Sequence, residues 1–431
     1  MRKYYNIYHK HSRNLLFSFC TRSKQSPTVP QYVIIAVEGI FMATPLTEAE
    51  NRTGNLFDYI NWRGDIPMSV DPFNEVDNLV LSAVVYAPFD GIVPGEDFDG
   101  AVTLKSVYEA FRKKYELDTA GIVNPATKFS PYLLDKIASS RRFGGMQVCS
   151  YTNELNADDQ YQFAAMTFLL EDGTCYAAFR GTDDSITGWR EDFNMSYMAM
   201  TRGQERAVEY LNKRFSGSSP FIRLGGHSKG GNLAVYAGMY CLPDIQERIK
   251  EIWSNDGPGF IKTITDSEDY KRICPKIKKL IPEESIVGIL LNSGVKADVV
   301  KSSEGGIMQH SPFSWHIKRN RLVRAEKRTG SSILFDRIAD DWINNLDPEN
   351  KKVFINVLFS AIQTSGATTI GDFTSDPVRV YNALYKTIRE LPKSQQATLI
   401  IVLQKLAKSG TNQLISDLFE KLSKLAKKLY D

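Results

Sequence analysis

Histidine is scarce in this chain: five residues in 431, at positions 9, 11, 227, 310 and 316. Any chemistry that needs an imidazole therefore has few places to occur. The five cysteines, Cys20, Cys149, Cys175, Cys241 and Cys274, are odd in number and scattered, with no C-x-x-C pair. That pattern argues against a disulfide framework and against a zinc site, and no metal or other cofactor is expected from the spacing of His, Cys and carboxylates. Cytoplasm is the location these free thiols favour. No apolar run reaches the ~20 residues that a spanning helix needs. Charge is nearly balanced, 53 basic against 50 acidic residues for a net +3, so no nucleic-acid partner is implied.

What the chain does have is hydrophobic patterning of an ordinary globular protein, long enough for one large domain and an appendage. Residues 1–41 read as a disordered or start-site extension. Met1 to Pro30 carries Arg2, Lys3, Lys10, Arg13, Arg22 and Lys24 with no acidic residue, and its apolar segment Leu15–Cys20 is short for an export signal. Globular character begins near Met42. Helices are expected at Thr47–Asp58, Asp77–Tyr86 and Leu104–Tyr115. From Gly145 the pattern turns to strands, at Met146–Tyr151, Gln162–Leu170 and Cys175–Arg180, with Asp172-Gly173 as a hairpin turn. A helix at Arg202–Phe215 and strands at Ile249–Asn255 and Lys278–Pro282 follow, with a short element at Ile286–Leu291 and a strand at His316–Ala325. Alternating strands and helices over 42–330 give an α/β domain with a mostly parallel sheet flanked by helices. Residues 331–431 read as an all-helical C-terminal appendage. Its last segment, Asn412–Tyr430, is amphipathic with lysines on the polar face. Such a face packs on neighbouring helices or lies on a membrane surface.

The chemistry is carried by Gly226-His227-Ser228-Lys229-Gly230. The apolar run Phe221–Leu224 before it reads as a buried strand, and Leu233–Met239 after it as a helix. Strand, glycine-bounded turn and helix make this G-x-S-x-G a nucleophile elbow with Ser228 at its tip. The alternative is a glycine-rich loop binding an anion at a helix N-terminus. A serine hydroxyl needs a base. His9 and His11 lie in the N-terminal extension, and His227 reads as a packing residue under the turn. Of the other two, His310, in the loop Gly305–Pro312, is the expected base, and His316 opens a strand. The backbone N–H of Lys229 supplies one oxyanion donor. Thr182, at the end of the strand Cys175–Arg180, is the candidate second donor, with both its N–H and its hydroxyl facing the site.

The succession Phe179-Arg180-Gly181-Thr182, Trp189 and Asp192 is similar to the oxyanion segment of the class 3 (fungal triacylglycerol) lipases. His310-Ser311-Pro312-Phe313-Ser314-Trp315 resembles their histidine segment. More closely, G-W-R-E-D-F-N-M, G-H-S-K-G-G-N-L-A, S-N-D-G-P-G-F and H-S-P-F-S-W together resemble a bacterial family related to those lipases, the Mbeg-like proteins, over about Thr44 to Arg328. The resemblance implies an α/β-hydrolase fold and a serine hydrolase acting on carboxylic esters of lipids or small acyl groups, without a cofactor. It also implies a lid at Asn194–Met200, whose methionines either line an acyl pocket or form a core face. The triad acid departs from the lipase pattern, because Ser285 stands where those lipases carry an Asp. Asp256, after the strand Ile249–Asn255, is the first candidate, with Glu284 and Glu283 behind it. A module that binds acyl chains or membranes without turnover is the competing reading.

Overall fold

The computed structural model describes residues 32–37, 40–45, 53–98, 100–115, 127–183, 185–330 and 347–364, with isolated positions at 332, 333, 336, 386, 387, 389, 390 and 392. The chain divides into two compact units, Met1–Arg52 and Thr53–Asp431, so the boundary read at Met42 lies inside the first. In that first unit β1 (Tyr32–Val37) pairs antiparallel with β2 (Ile40–Pro45). The amphipathic segment Asn412–Tyr430, and most of 331–431, lie outside the described residues.

The second unit is built on an eight-stranded sheet. Its first strands, β3 (Val102–Thr103), β4 (Gln147–Asn156), β5 (Tyr161–Leu169) and β6 (Cys175–Phe179), form an antiparallel meander. From β6 onward every pairing is parallel, through β7 (Ile222–His227), β8 (Ile249–Asn255), β9 (Ile277–Pro282) and β10 (Ala297–Val300). This is the mostly parallel α/β sheet that the sequence implies.

Alternation along the strands loads both faces with apolar side chains. On one face Met166, Phe168, Tyr176, Ala178 and Trp253 join a core with α1 (Leu56–Arg63), α2 (Glu75–Val84), α3 (Leu104–Lys114) and α4 (Ser130–Ala138). On the other, Phe163, Ala177, Phe179, Ile222, Leu224 and Ile252 pack under α6 (Arg202–Phe215) and α7 (Lys229–Tyr240). A strand buried on both faces reads as a continuous apolar run, which is how β5 and β6 look in the sequence.

Of the helix expected at Thr47–Asp58, residues 47–52 lie outside the described residues, and α1 begins at Leu56. Asn55 accepts from the amides of Phe57 and Asp58, while Asp58 takes the Asn55 amide, and this capping box fixes α1 at Leu56. The strand expected over His316–Ala325 is a tight hairpin, β11 (Ile317–Lys318) with β12 (Arg321–Leu322), reversed at Arg319 with φ 58°. Ile286–Leu291 forms turns rather than a regular element.

Candidate active site

Ser228 sits between β7 and α7 with φ 59° and ψ −133°, a region that residues with side chains rarely adopt. Strain of this kind costs of order 1–3 kcal/mol and persists only where the surroundings enforce it. Here the Ser228 amide donates to the Asn255 carbonyl (2.9 Å), and its own carbonyl accepts from Gly231 (2.9 Å). The flanking glycines have a steric cause. A Cβ on Gly226 would overlap the Gly230 carbonyl, and a Cβ on Gly230 would overlap the Phe179 carbonyl of β6. The turn is also held from below. Asn255, the last residue of β8, donates to the Gly226 carbonyl (3.1 Å) and to Ser82 of α2 (3.1 Å), and accepts from Asn78 (2.9 Å). Ser228 is partly exposed while its neighbours His227 and Lys229 are buried, so its hydroxyl is the polar group this turn presents.

One residue beyond β8, Asp256 is fully buried, again at positive φ (49°). Its Oδ2 lies 2.6 Å from His310 Nδ1. Its Oδ1 accepts from the Ser285 hydroxyl (2.6 Å) and the Gly288 amide (3.1 Å). A carboxylate so satisfied is fixed in orientation, and it fixes the imidazole in turn. Ser285, at the position where the lipases carry an Asp, thus donates to Asp256, which follows the neighbouring strand.

His310 ends a 3-10 turn, Gly306–His310. Its backbone carbonyl accepts a 2.6 Å bond from His227 Nε2. A carbonyl cannot donate, so His227 carries its proton on Nε2, and Nδ1 accepts from the Tyr86 hydroxyl at 3.1 Å. Burial, helped by the neighbouring His310, holds His227 neutral, well below the usual histidine range. The two imidazoles stack with centroids 4.5 Å apart. His227, read from the sequence as packing, is a buried polar strut between the elbow and the loop that carries His310. With Nδ1 engaged by Asp256, Nε2 is the remaining nitrogen of His310.

Glu283 and Glu284 do not share this position. Glu284 accepts from the Gly306 amide, and its own amide donates to Gln309 Oε1 (2.9 Å), so it braces the same loop at its base. The Glu283 amide donates to the Val300 carbonyl (3.1 Å). Among the described residues neither carboxylate bonds to His310.

On the oxyanion side, β6 ends against the elbow. A Cβ on Gly181 would come within 2.9 Å of Ser228 Cβ, which places Thr182 beside Ser228. The expectation that the Thr182 hydroxyl faces the site is corrected: Oγ1 donates to Asp192 Oδ2 at 2.6 Å. Asp192, on α5 (Ile186–Asn194), is half-buried, and its Oδ1, shut off from solvent, has no hydrogen-bond partner. Burial raises its carboxyl to about 6, with Glu191 adding to the rise and Lys229, Thr182 and His310 opposing it. Lys229 turns its side chain inward. Its ammonium donates to Glu191 Oε2 (2.8 Å) and to the Gln162 carbonyl (2.8 Å), both partners of the ion pair being buried. Glu191 also accepts from the amides of Gln162 (3.1 Å) and Gly203 (2.7 Å). The Lys229 amide belongs to the first turn of α7, where helix amides lack intrahelical partners.

Beside the site, α5 is covered by α8 (Pro348–Thr364). Ile186, Ile355 and Phe359 are buried together against Trp189, Phe193 and Tyr197, and Arg190 donates to Asn356 (2.8 Å). Of the methionines in the expected lid, Met195 is buried, while Met198 and Met200 are exposed. Among the described residues no group of three His, Cys, Asp or Glu side chains is placed to hold a metal ion, and no helix is long and apolar enough to cross a membrane.

A mostly parallel sheet with a strained serine at a strand-to-helix elbow, and an Asp–His pair at the next strand ends, defines an α/β-hydrolase-like protein. The chain belongs to the Mbeg1-like family, whose model matches residues 137–360, a span that holds all of these groups. Among solved structures, the crystal structure of M37 lipase is similar at 17% identity and TM-score 0.27, over 44% of this chain and 70% of that one. No curated protein matches the chain.

Proposed function

We propose that the protein is a serine hydrolase of carboxylic esters, with Ser228 as nucleophile, His310 as general base and Asp256 as the acid that orients it. The observation that carries this reading is the 2.6 Å contact of a fully buried Asp256 with His310 Nδ1, next to a serine held at φ 59° on a glycine-bounded turn. A structural histidine needs no such carboxylate. An imidazole that must become cationic in the transition state does.

In this reading His310 Nε2 takes the proton of Ser228 Oγ as the oxygen attacks the ester carbonyl carbon. The carbonyl oxygen becomes an oxyanion, bound by the Lys229 amide with Thr182 beside it. The Thr182 hydroxyl, donating to Asp192, keeps that residue oriented. Collapse breaks the bond to the alcohol, which leaves with the proton from His310. Water, deprotonated by the same nitrogen, then attacks the acyl-Ser228 ester and releases the acid. No step requires a cofactor. Ile307 and Met308, exposed on the turn that carries His310, favour an ester with an apolar acyl group, lipid or small. A cytoplasmic setting would suit a lysophospholipid or a detoxified ester better than bulk triacylglycerol.

The test is hydrolysis of p-nitrophenyl esters from acetate to palmitate by the full chain and by Ser228→Ala and His310→Ala. Turnover abolished by both substitutions, in proteins that keep their unfolding midpoint, is the expected result. Turnover that survives Ser228→Ala would move the chemistry elsewhere. Absence of turnover together with saturable binding of the longer esters would favour an acyl-binding module instead.

A further inference from the structure

A second polar feature lies on the edge of the sheet and borders Asp256, since Gly288 lines it. Parallel strands are normally joined by a crossover that lays a helix on the sheet face. The connection from β9 to β10, residues 283–296, contains no helix and arches over the strands. It leaves a cavity of about 560 Å³, within the ~300–1,000 Å³ range of small-molecule sites. Its floor is one face of β9 and β10, where the register sets Ala297 opposite Lys279 and Val299 opposite Ile281. Leu291 and Phe260 close the walls.

Lys279 is only 6% exposed, and among the described residues its ammonium makes no hydrogen bond or ion pair. Its strand neighbours, Ser254 and Ala297, are both small, which leaves the cavity open beside it. Arg328 lines the same cavity. Its Nη2 pairs with Asp336 (2.6 Å), while its Nη1 is buried without a partner. Lys262 adds a third cation at the wall. Burial brings the Lys279 ammonium down to about 8, although Asp256 and Asp336 pull the other way. An unpaired buried ammonium costs several kcal/mol unless something compensates it. Lys262, Lys279 and Arg328 against the single carboxylate of Asp336, with one guanidinium nitrogen unpartnered, give this partly apolar cavity a positive lining, the complement of an anion with an apolar body.

We propose that this cavity binds a small amphipathic anion, its carboxylate or phosphate held by Lys279 and Arg328 and its apolar part lying on Ile281, Leu291 and Val299. The proposal does not rest on the proposed ester chemistry, although Gly288 of the cavity wall donates to Asp256. Titration calorimetry on the full chain tests it with octanoate, octyl phosphate, octanol and inorganic phosphate. At least one of the two amphipathic anions should bind saturably, at least tenfold tighter than octanol or inorganic phosphate. Lys279→Met should weaken that binding at least tenfold without lowering the unfolding midpoint, since it removes an unpaired buried charge. Ala297→Phe, which fills the cavity and leaves every charge in place, should abolish it.

Which anion binds separates a carboxylate ligand from a phosphate one. Octanoate bound at the Ser228 site would be indifferent to both substitutions, and that result overturns the proposal. So does no binding of either anion at millimolar concentration, or octanol binding as tightly as the anions. Inorganic phosphate matching octyl phosphate would mark an ion site without a place for the apolar part, and it too would overturn the proposal.

Discussion

Replacing Asp192 by asparagine should stabilise the protein, and by an amount that depends on pH. Asp192 is half-buried on α5, with one oxygen accepting from Thr182 and the other enclosed and unpartnered. Its folded-state carboxyl titrates at about 6, against 3.8 in an unfolded chain. A raised carboxyl binds its proton more tightly when folded. Its contribution is therefore neutral below the unfolded value and becomes a growing penalty as pH rises through 4 to 6. Integrating the two titrations gives a penalty of under ~1 kcal/mol at pH 4, ~2 kcal/mol at pH 5 and ~3 kcal/mol above pH 7. The asparagine side chain cannot ionise, and its amide oxygen can still accept from Thr182. Urea unfolding at pH 4, 5, 6 and 7.5 should thus show Asp192→Asn gaining on the parent with pH and levelling off near neutrality. A difference that is flat, or that shrinks as pH rises, would refute the assignment of a raised carboxyl to this position.

Other substitutions probe the remaining contacts. Glu191→Gln breaks the buried pair with Lys229 beneath the elbow and should cost roughly 3–5 kcal/mol in urea unfolding, because the ammonium is left buried. Asp256→Asn should keep the fold and lower kcat by about 10³–10⁴, whereas Glu284→Gln should change it less than about tenfold; comparable losses from both would displace Asp256. His227→Phe leaves the His310 carbonyl and the Tyr86 hydroxyl without their partner, and should cost about 1–3 kcal/mol while lowering kcat more than it changes KM. A purely structural role for His227 would leave kcat unmoved in the folded fraction.

Part of the sheet was legible because β6, buried on both faces, is an uninterrupted apolar run and β5 is nearly one. Arg202–Phe215 and Ile249–Asn255 were read with the bounds they have in the structure. The elbow was legible for a different reason: only glycine fits at 226 and 230, so sterics wrote the motif into the sequence. The start of α1 and the reversal at Arg319 depend on single side-chain caps and one left-handed residue, which periodicity does not register. His227 looked like packing because its partners, Tyr86 and the His310 carbonyl, are distant in sequence. The engagement of Thr182 by Asp192 needs the turn of α5 that places them together. Ser285 carried a signal that could have been used. A serine where related lipases carry an acid is a natural donor to a carboxylate displaced to the adjacent strand, and that is the contact it makes with Asp256.

The most direct test of the account is the mass of the intact protein after exposure to a fluorophosphonate at pH 7.5, for the parent, Ser228→Ala and Asp256→Asn. The account predicts a single adduct on the parent that maps to Ser228, none on Ser228→Ala, and labelling slowed by orders of magnitude on Asp256→Asn. A folded parent that takes up no label, or a parent and Asp256→Asn that label at the same rate, would contradict it.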